Sequence, residues 1–211
     1  MKAATMDIQP SAWPDDAAVR ALRQRWAFHR DQSDFDAMAR CFHADAHASI
    51  AWYDGPVAGL IPLLQAGDAA RRPPEHSKHW VGNAVVRIQD RRALLETDVQ
   101  ILMRETIDGQ LFDYTGWCRF LDRVEQRDGR WAISHWSVIF DKDRLDPVLG
   151  AVPDWLRTTD LQGADAGFAF MRLRQQRKGR AVPPRTVIGG SAGERALRDQ
   201  AEHWLHQGET A

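Results

Sequence analysis

A change in hydrophobic period begins at the segment His79-Trp80-Val81-Gly82-Asn83-Ala84-Val85-Val86-Arg87-Ile88. From here onward the apolar residues adopt a period of two. That period is typical of β-strands with one buried face. The pattern predicts four strands, and Asp108-Gly109 and Asp128-Gly129 are strong hairpin signals between them. Long strands joined by short turns indicate an antiparallel sheet. The four predicted strands cover residues 79–89, 93–105, 111–126 and 130–140.

Helical patterns come before this sheet. Ser11 or Asp15 can cap a first helix, and Asp34 can cap a second, short one. A third helix follows a strand that ends at the predicted turn Asp54-Gly55-Pro56. Helices followed by a run of strands predict an α+β domain with a curved sheet. The helices are expected over about residues 12–29, 35–42 and 57–66, and the early strand over about residues 47–53.

Composition narrows the class of protein. The chain has 211 residues, 28 basic and 29 acidic, so its charge does not favour binding to nucleic acid or membrane. Nine Trp against two Tyr suit an aromatic core or cavity. Met1 to Pro10 resemble no signal peptide, and no apolar run is long enough to span a bilayer. A soluble, cytoplasmic protein is therefore expected.

The chain divides into an N-terminal tail (residues 1–11), a domain (12–142) and a partly helical C-terminal extension (143–211). Helices are predicted in the extension around residues 166–177 and 194–206. Its basic residues lack interleaved aromatic residues, so a solvated face or a subunit contact is favoured over nucleic-acid binding. These basic residues are Arg172, Arg174, Arg177, Lys178, Arg180 and Arg185.

Two residues that are far apart in sequence carry the main chemical hypothesis. Asp31 follows the first predicted helix, and His79 begins the first long strand. If the fold brings them together, the carboxylate orients the imidazole, which can then act as a general base without a cofactor.

Three motifs in a fixed order resemble a known family. They are Phe42-His43-Ala44-Asp45-Ala46, then His79-Trp80-Val81-Gly82-Asn83, then Arg127-Asp128-Gly129-Arg130-Trp131-Ala132-Ile133-Ser134-His135-Trp136. Over about residues 12–142 the chain resembles the SnoaL-like branch of the nuclear transport factor 2-like superfamily. The extension is similar to those of some bacterial members from aromatic catabolism.

This resemblance implies a cone-shaped α+β barrel, with a curved antiparallel sheet wrapped around the N-terminal helices and an apolar pocket inside. It also implies a homotrimer or a homodimer. Enzymes of the family include scytalone dehydratase, bile acid dehydratases, a dehydrochlorinase, polyketide cyclases and lyases that remove formaldehyde from lignin-derived diaryl diols. They abstract protons or eliminate groups without metal or organic cofactor, and a His–Asp dyad recurs, here matched by His79 and Asp31.

Two positions depart from the family pattern. Trp26 stands where family lyases tend to place Tyr or Lys, and Trp136 stands where several members carry Arg. An indole N–H can donate a hydrogen bond but cannot act as an acid. The dehydrochlorinase interpretation is weakened, and a flat aromatic substrate becomes easier to hold.

Other residues are candidates for the pocket, and core packing is the alternative for each. Tyr53 or Tyr114 could stabilise a leaving hydroxyl or an oxyanion. Asn83, four residues after His79, could place an amide in the pocket, and His135 could be a second acid. The expected pocket wall consists of Trp26, Trp52, Leu60, Leu64, Trp80 and Trp117.

Metal binding and covalent catalysis are less favoured. His43, Asp45 and His47 resemble a ligand cluster, but no other residues complete it. Lys78 could form a Schiff base, but strand alternation points it away from His79.

The leading hypothesis is a cofactor-independent lyase for a hydrophobic aromatic alcohol or diol, by dehydration or by release of formaldehyde to leave a stilbene. The alternative is a non-catalytic binding or assembly module, similar to a dioxygenase small subunit. An isomerase or cyclase is the third possibility.

Overall fold

The computed structural model describes residues 15–163, 166–184 and 186–207. The predicted tail and the possible cap Ser11 lie outside these residues. The N-terminal helices and strands are α1 (Asp15–Asp31), α2 (Phe35–Ala39), β1 (Phe42–Ile50), β2 (Tyr53–Pro56) and α3 (Val57–Ala69). The long strands are β3 (His76–Gln89), β4 (Arg92–Ile107), β5 (Gln110–Arg127) and β6 (Arg130–Pro147). The extension contains α4 (Asp154–Arg157), a 3-10 turn (Ala166–Phe168), α5 (Ala169–Arg177), β7 (Val187–Ile188) and α6 (Ala192–His206).

The apolar stripe of α1 determines how this helix packs. Val19, Leu22 and Trp26 recur at helical spacing and are almost fully buried. The stripe lies against β3 and β6, and it directs the C-terminal end of α1 toward β3. As predicted, the Asp34 side chain caps α2 by accepting a hydrogen bond from the Ala37 N–H at 3.1 Å.

One curved, open sheet contains the seven strands, in the order β2-β1-β6-β5-β4-β3 with β7 also paired to β6. The predicted α+β class is confirmed. Asp108-Gly109 and Asp128-Gly129 form the expected tight turns, with positive φ at all four residues. Strands β3 to β6 form antiparallel pairs, whereas β6 pairs in parallel with β1 and β7. The sheet is therefore mixed. Two strands that are far apart in the sequence can pair in either direction.

Several boundaries differ from the prediction. Asp54-Gly55-Pro56 belongs to β2, which folds back on β1, instead of forming the turn that ends a strand. Strand β6 continues to Pro147, so it crosses the predicted domain boundary at residue 142. Its later residues pair with β5, and this ladder extends the sheet into the predicted extension.

The extension packs on both faces of the sheet. Phe168 is buried against Phe140, with ring centroids 4.6 Å apart, on the face that also holds α1. On the opposite face, Ala201 and Leu205 of α6 pack with Ile139 in a second, smaller apolar cluster. None of the described helices has the length and apolarity needed to cross a bilayer.

Candidate active site

Asp31 and His79 meet where the C-terminal end of α1 lies against β3. Asp31 Oδ1 is 2.7 Å from His79 Nδ1, and Asp31 Oδ2 accepts the backbone N–H of His79 at 3.0 Å. The side chain of Asp31 is only 2% exposed and that of His79 only 9%. Both carboxylate oxygens are therefore used to hold one histidine in one orientation.

The environment favours an ionised Asp31 beside a neutral His79. Burial lowers the pKa of His79, and the raising effect of Asp31 does not cancel it. Burial acts to raise the pKa of Asp31, but the two hydrogen bonds from His79, with the nearby charge of Lys78, hold it below its usual value. A neutral imidazole that donates Nδ1–H to Asp31 leaves Nε2 with a lone pair. No described residue hydrogen-bonds to that nitrogen.

Lys78 also lies near the carboxylate, but outside the dyad. Its Nζ is 3.4 Å from Asp31 Oδ2, and its side chain is more than half exposed. Strand alternation turns it away from His79, as expected, so it adds a screened charge at the surface.

A cavity of about 310 Å³ lies next to His79. This volume is at the lower end of the range typical of small-molecule sites. Trp26, Trp52 and Leu64 line it, as the sequence predicted, whereas Leu60 is buried in the core and is not among the lining side chains. Further apolar lining residues are Ile101, Met103, Phe120, Trp136, Val138 and Phe140.

Two indoles with buried N–H groups lie beside the dyad. The ring of Trp26 makes edge contacts with His79 and with Trp136, at centroid distances of 5.0 Å in both cases. The Nε1 atoms of Trp26 and Trp136 are buried and have no hydrogen-bond partner among the described residues. A buried donor without a partner lowers the stability of the folded state, so these two N–H groups are unusual. Trp136 was not predicted to be a site residue.

A buried ion pair lies behind these indoles. Arg23 Nε donates to Asp122 Oδ2 at 2.5 Å, and a second, parallel bond joins the same two side chains. The Arg23 guanidinium carbon is 5.1 Å from the Trp26 ring centroid and 4.7 Å from that of Trp136. No sequence pattern indicates this pair, because residues on α1 and β5 become neighbours only in the folded chain.

Trp80 and Asn83 lie outside the cavity, contrary to expectation. Trp80 is 66% exposed on the outer face of β3, and Asn83 is also exposed. The pairing of β3 with β4 shifts register between Val81 and Ala84, which marks a bulge. The bulge breaks the two-residue period, so spacing four from His79 does not place Asn83 on the same face.

Trp117 and His135 also point away from the cavity. Trp117 alternates with the inward-facing Gly116, and Lys142 Nζ lies 4.5 Å from its ring centroid. His135 stacks on His47 at a centroid distance of 5.2 Å. Burial, together with nearby cations, lowers the pKa of His135 to about 4, so it is not placed to act as a second acid.

Neither tyrosine lines the cavity. The Tyr53 hydroxyl donates to the Pro56 carbonyl at 2.7 Å, which holds it within the β2 region. Tyr114 is buried, its hydroxyl has no partner among the described residues, and burial raises its pKa well above the usual value. Neither phenol is therefore placed to stabilise a leaving group.

The possible metal ligands of β1 have separate protein partners. His43 Nε2 is 3.0 Å from the Glu125 carbonyl oxygen, and His47 Nε2 is 2.6 Å from Asp54. Asp45 accepts from Arg127 at 2.7 Å. Within the described ranges, no group of three or more His, Cys, Asp or Glu side chains has the arrangement of a metal site.

The extension contributes cations to the cavity that the sequence did not place there. Arg174, Lys178 and Arg180 are among its lining residues. Arg174 and Lys178 both donate to the buried carboxylate of Glu105 on β4. The cluster of basic residues was visible in the sequence, but only the packing of α5 shows that part of it faces the cavity. Arg185, from the same cluster, lies outside the described residues.

Comparisons with known proteins agree with this architecture. Pea pathogenicity protein 2 from Fusarium vanettenii is 25% identical over 173 residues, which are 77% of this chain and 72% of that protein. A candidate scytalone dehydratase from Novosphingobium aromaticivorans has a TM-score of 0.53 at 16% identity, over 65% of this chain and 95% of that one. A type 2 hexachlorocyclohexane dehydrochlorinase, LinA, gives 0.50 at 18% identity, over 66% and 93%.

At these identities the two structures show the fold alone, and the fold agrees with the cone-shaped architecture that the resemblance implied. Residues 11–137 match the family described as the SnoaL-like domain. The chain therefore belongs to the SnoaL-like family, within the nuclear transport factor 2-like superfamily.

Proposed function

We propose that this protein is a cofactor-independent lyase that acts on a hydrophobic aromatic alcohol or diol, with His79 as the general base. One observation carries the proposal: Asp31 holds His79 at 2.7 Å, next to a cavity that His79 itself lines. A positioned base of this kind contributes on the order of 10²–10⁴ to the rate.

Dehydration is the simplest reaction for this arrangement. His79 Nε2 removes a proton from carbon, the electron pair of that C–H bond forms the double bond, and the neighbouring C–O bond breaks. The departing hydroxide takes a proton from the imidazolium and leaves as water, so the base is regenerated. Asp31 stabilises the imidazolium between the two proton transfers.

A diaryl 1,3-diol offers a second route through the same base. His79 removes the proton of the terminal hydroxyl, the adjacent carbon–carbon bond breaks, and formaldehyde is released. The electrons of that bond form the stilbene double bond and expel the other hydroxyl, which leaves as water. This lignin-type reaction suits a cavity walled by Trp26, Trp52 and Trp136.

The indole rings of Trp26 and Trp136 support an aromatic substrate. Both residues line the cavity, and the Trp26 ring lies 5.0 Å from the His79 ring. Their Nε1 atoms are buried and not exposed to the cavity, so the rings offer apolar contact area to a substrate.

Two alternatives differ in outcome. An isomerase or cyclase would use the same base but release no water or formaldehyde. A dioxygenase-type assembly module would have no need of an oriented imidazole beside a cavity. No observation of the described residues favours either one over the lyase.

The deciding experiment uses chelator-treated protein and a panel of aromatic alcohols, including diarylpropane diols. Near-ultraviolet absorbance and released formaldehyde are followed together. A new conjugated product is expected with the wild type and with His203→Ala, an exposed helical control. His79→Ala should lose the activity. Ligand binding without turnover by the wild type would contradict the proposal and favour the module.

We also propose a homo-oligomer, a trimer or a dimer, and a cytoplasmic location. Strand β3 is at the edge of the sheet and carries the exposed apolar side chains of Trp80 and Val85. Exposed apolar groups on an unpaired edge strand are suited to association with another copy.

A further inference from the structure

The lining of the cavity contains more cations than carboxylates. Arg174 and Lys178 share the single carboxylate of Glu105. Arg30 and Arg71 share the single carboxylate of Asp68, each at 2.9 Å. All six of these side chains line the cavity. In each group, two positive charges are balanced by one negative charge.

The remaining charged groups do not restore the balance. Arg180 forms no ion pair with any described residue, and its guanidinium lies 5.0 Å from the centroid of the Trp52 ring. Glu75 supplies one more carboxylate, which accepts hydrogen bonds from the backbone N–H groups of Arg72 and Thr106. Arg104 also lines the cavity, and its partner at 2.7 Å is Asp113, which does not. The Asp31–Lys78 pair adds no net charge.

We propose that the substrate of this site carries an anionic oxygen on an aromatic ring, and that Arg180 binds this oxygen while Trp52 contacts the ring. The inference rests on the proposed function and names its substrate class as aromatic acids or phenolates. A planar guanidinium binds carboxylate oxygens in pairs, and its own position over an indole keeps it oriented.

The lowered pKa values of the neighbouring cations support the inference. Burial, together with the charges of Arg180 and Arg71, lowers the pKa of Arg174 to about 9. Burial also lowers the pKa of Lys178 to about 8, with Arg174 and Arg180 acting in the same direction. Because these cations repel one another in a partly desolvated site, an anion bound among them relieves the repulsion.

Binding tests the proposal without the need for turnover. Biphenyl-4-carboxylate, biphenyl-4-carboxamide and 4-hydroxybiphenyl are titrated at neutral pH and low salt, by calorimetry and by quenching of tryptophan fluorescence. The carboxylate is expected to bind about tenfold more tightly than the carboxamide, the effect of one charge-assisted contact. Arg180→Gln should remove most of that difference, and higher salt should reduce it.

Arg157→Gln is the matched control, because Arg157 is an exposed arginine of the extension that does not line the cavity. It should leave all three affinities unchanged. A bound 4-hydroxybiphenyl with the absorbance of its phenolate would also support the proposal and identify the phenolate as the preferred anion.

Equal binding of carboxylate and carboxamide, with no phenolate formed and no effect of Arg180→Gln, would overturn the proposal. That result would leave the lyase proposal intact, because the activity of His79→Ala tests the lyase separately. Conversely, selective carboxylate binding by a protein that turns over no alcohol would support the anion site and contradict the lyase.

Discussion

Replacing Asp31 with Asn tests the role of the carboxylate in the dyad. Asp31→Asn keeps the size of the side chain and one oxygen that can accept from His79 Nδ1, which lies 2.7 Å from Asp31 in the wild type. It removes the negative charge that stabilises the imidazolium, and its NH₂ group cannot accept the backbone N–H of His79, which Asp31 Oδ2 accepts at 3.0 Å. The variant therefore removes the charge and one of the two hydrogen bonds but keeps the shape of the side chain.

The size of the effect follows from the bonds that change. A hydrogen bond to a charged group contributes about 1.5–3 kcal/mol, and about 1.4 kcal/mol corresponds to a factor of ten in rate. Since Asp31 is buried, its charge is weakly screened, and Asp31→Asn is expected to reduce kcat/KM by about 10- to 100-fold. Lys78, which is exposed, does not compensate.

Two measurements check this expectation. Single-turnover absorbance on the substrate identified by the panel gives the rate, and NMR titration of the imidazole gives the pKa of His79. The pKa should fall in the variant, because Asp31 acts to raise it. Full activity of Asp31→Asn, or a raised His79 pKa, would refute the assigned role of the carboxylate.

Four further predictions concern the pH dependence of rate and of stability, the buried ion pair and assembly. The rate of the wild type should rise with pH and level off by neutrality, since the pKa of His79 lies below its usual 6.5; a rate that falls over this range would contradict the neutral base. Because the pKa values of Asp31 and His79 are both lowered, the folded state binds fewer protons than the unfolded state. Stability in urea should therefore decrease as the pH falls below 6.5. Asp122→Asn leaves the charge of Arg23 buried and unpaired, so urea unfolding should show a loss of about 3–5 kcal/mol. Replacing both partners, as Arg23→Met with Asp122→Leu, should recover most of that loss, and a single variant as stable as the wild type would contradict the assigned cost of the unpaired charge. Trp80→Glu should lower the oligomer mass measured by light scattering without loss of folding, and an unchanged mass would point to another interface.

Local patterns predicted much of the fold because their causes are local. The stripe of Val19, Leu22 and Trp26 required a helix packed on the sheet, and the Asp-Gly pairs at 108–109 and 128–129 required tight turns. The parallel pairing of β1 with β6 was not predictable in this way, since it joins strands separated by most of the domain.

The candidate site was predictable only in part. The resemblance to the family implied that Asp31 and His79 form a dyad, whereas the two residue types alone would have left His79 as a possible core residue. Parity along β3 failed at Asn83 because the bulge between Val81 and Ala84 changes the face. Gly82 lies in this bulge, and a glycine inside a strand pattern is the local signal that could have indicated it.

Local periodicity and short motifs in the sequence were enough to predict the helices, the long strands and the family, and the family resemblance implied the pair Asp31 and His79. The folded chain was needed to show that Trp136 joins Trp26 beside His79, that Tyr53 and Tyr114 do not, and that Arg180 lines the cavity. These placements depend on strand register and on the packing of the extension. Both are set by contacts between residues far apart in the chain, which no local pattern records.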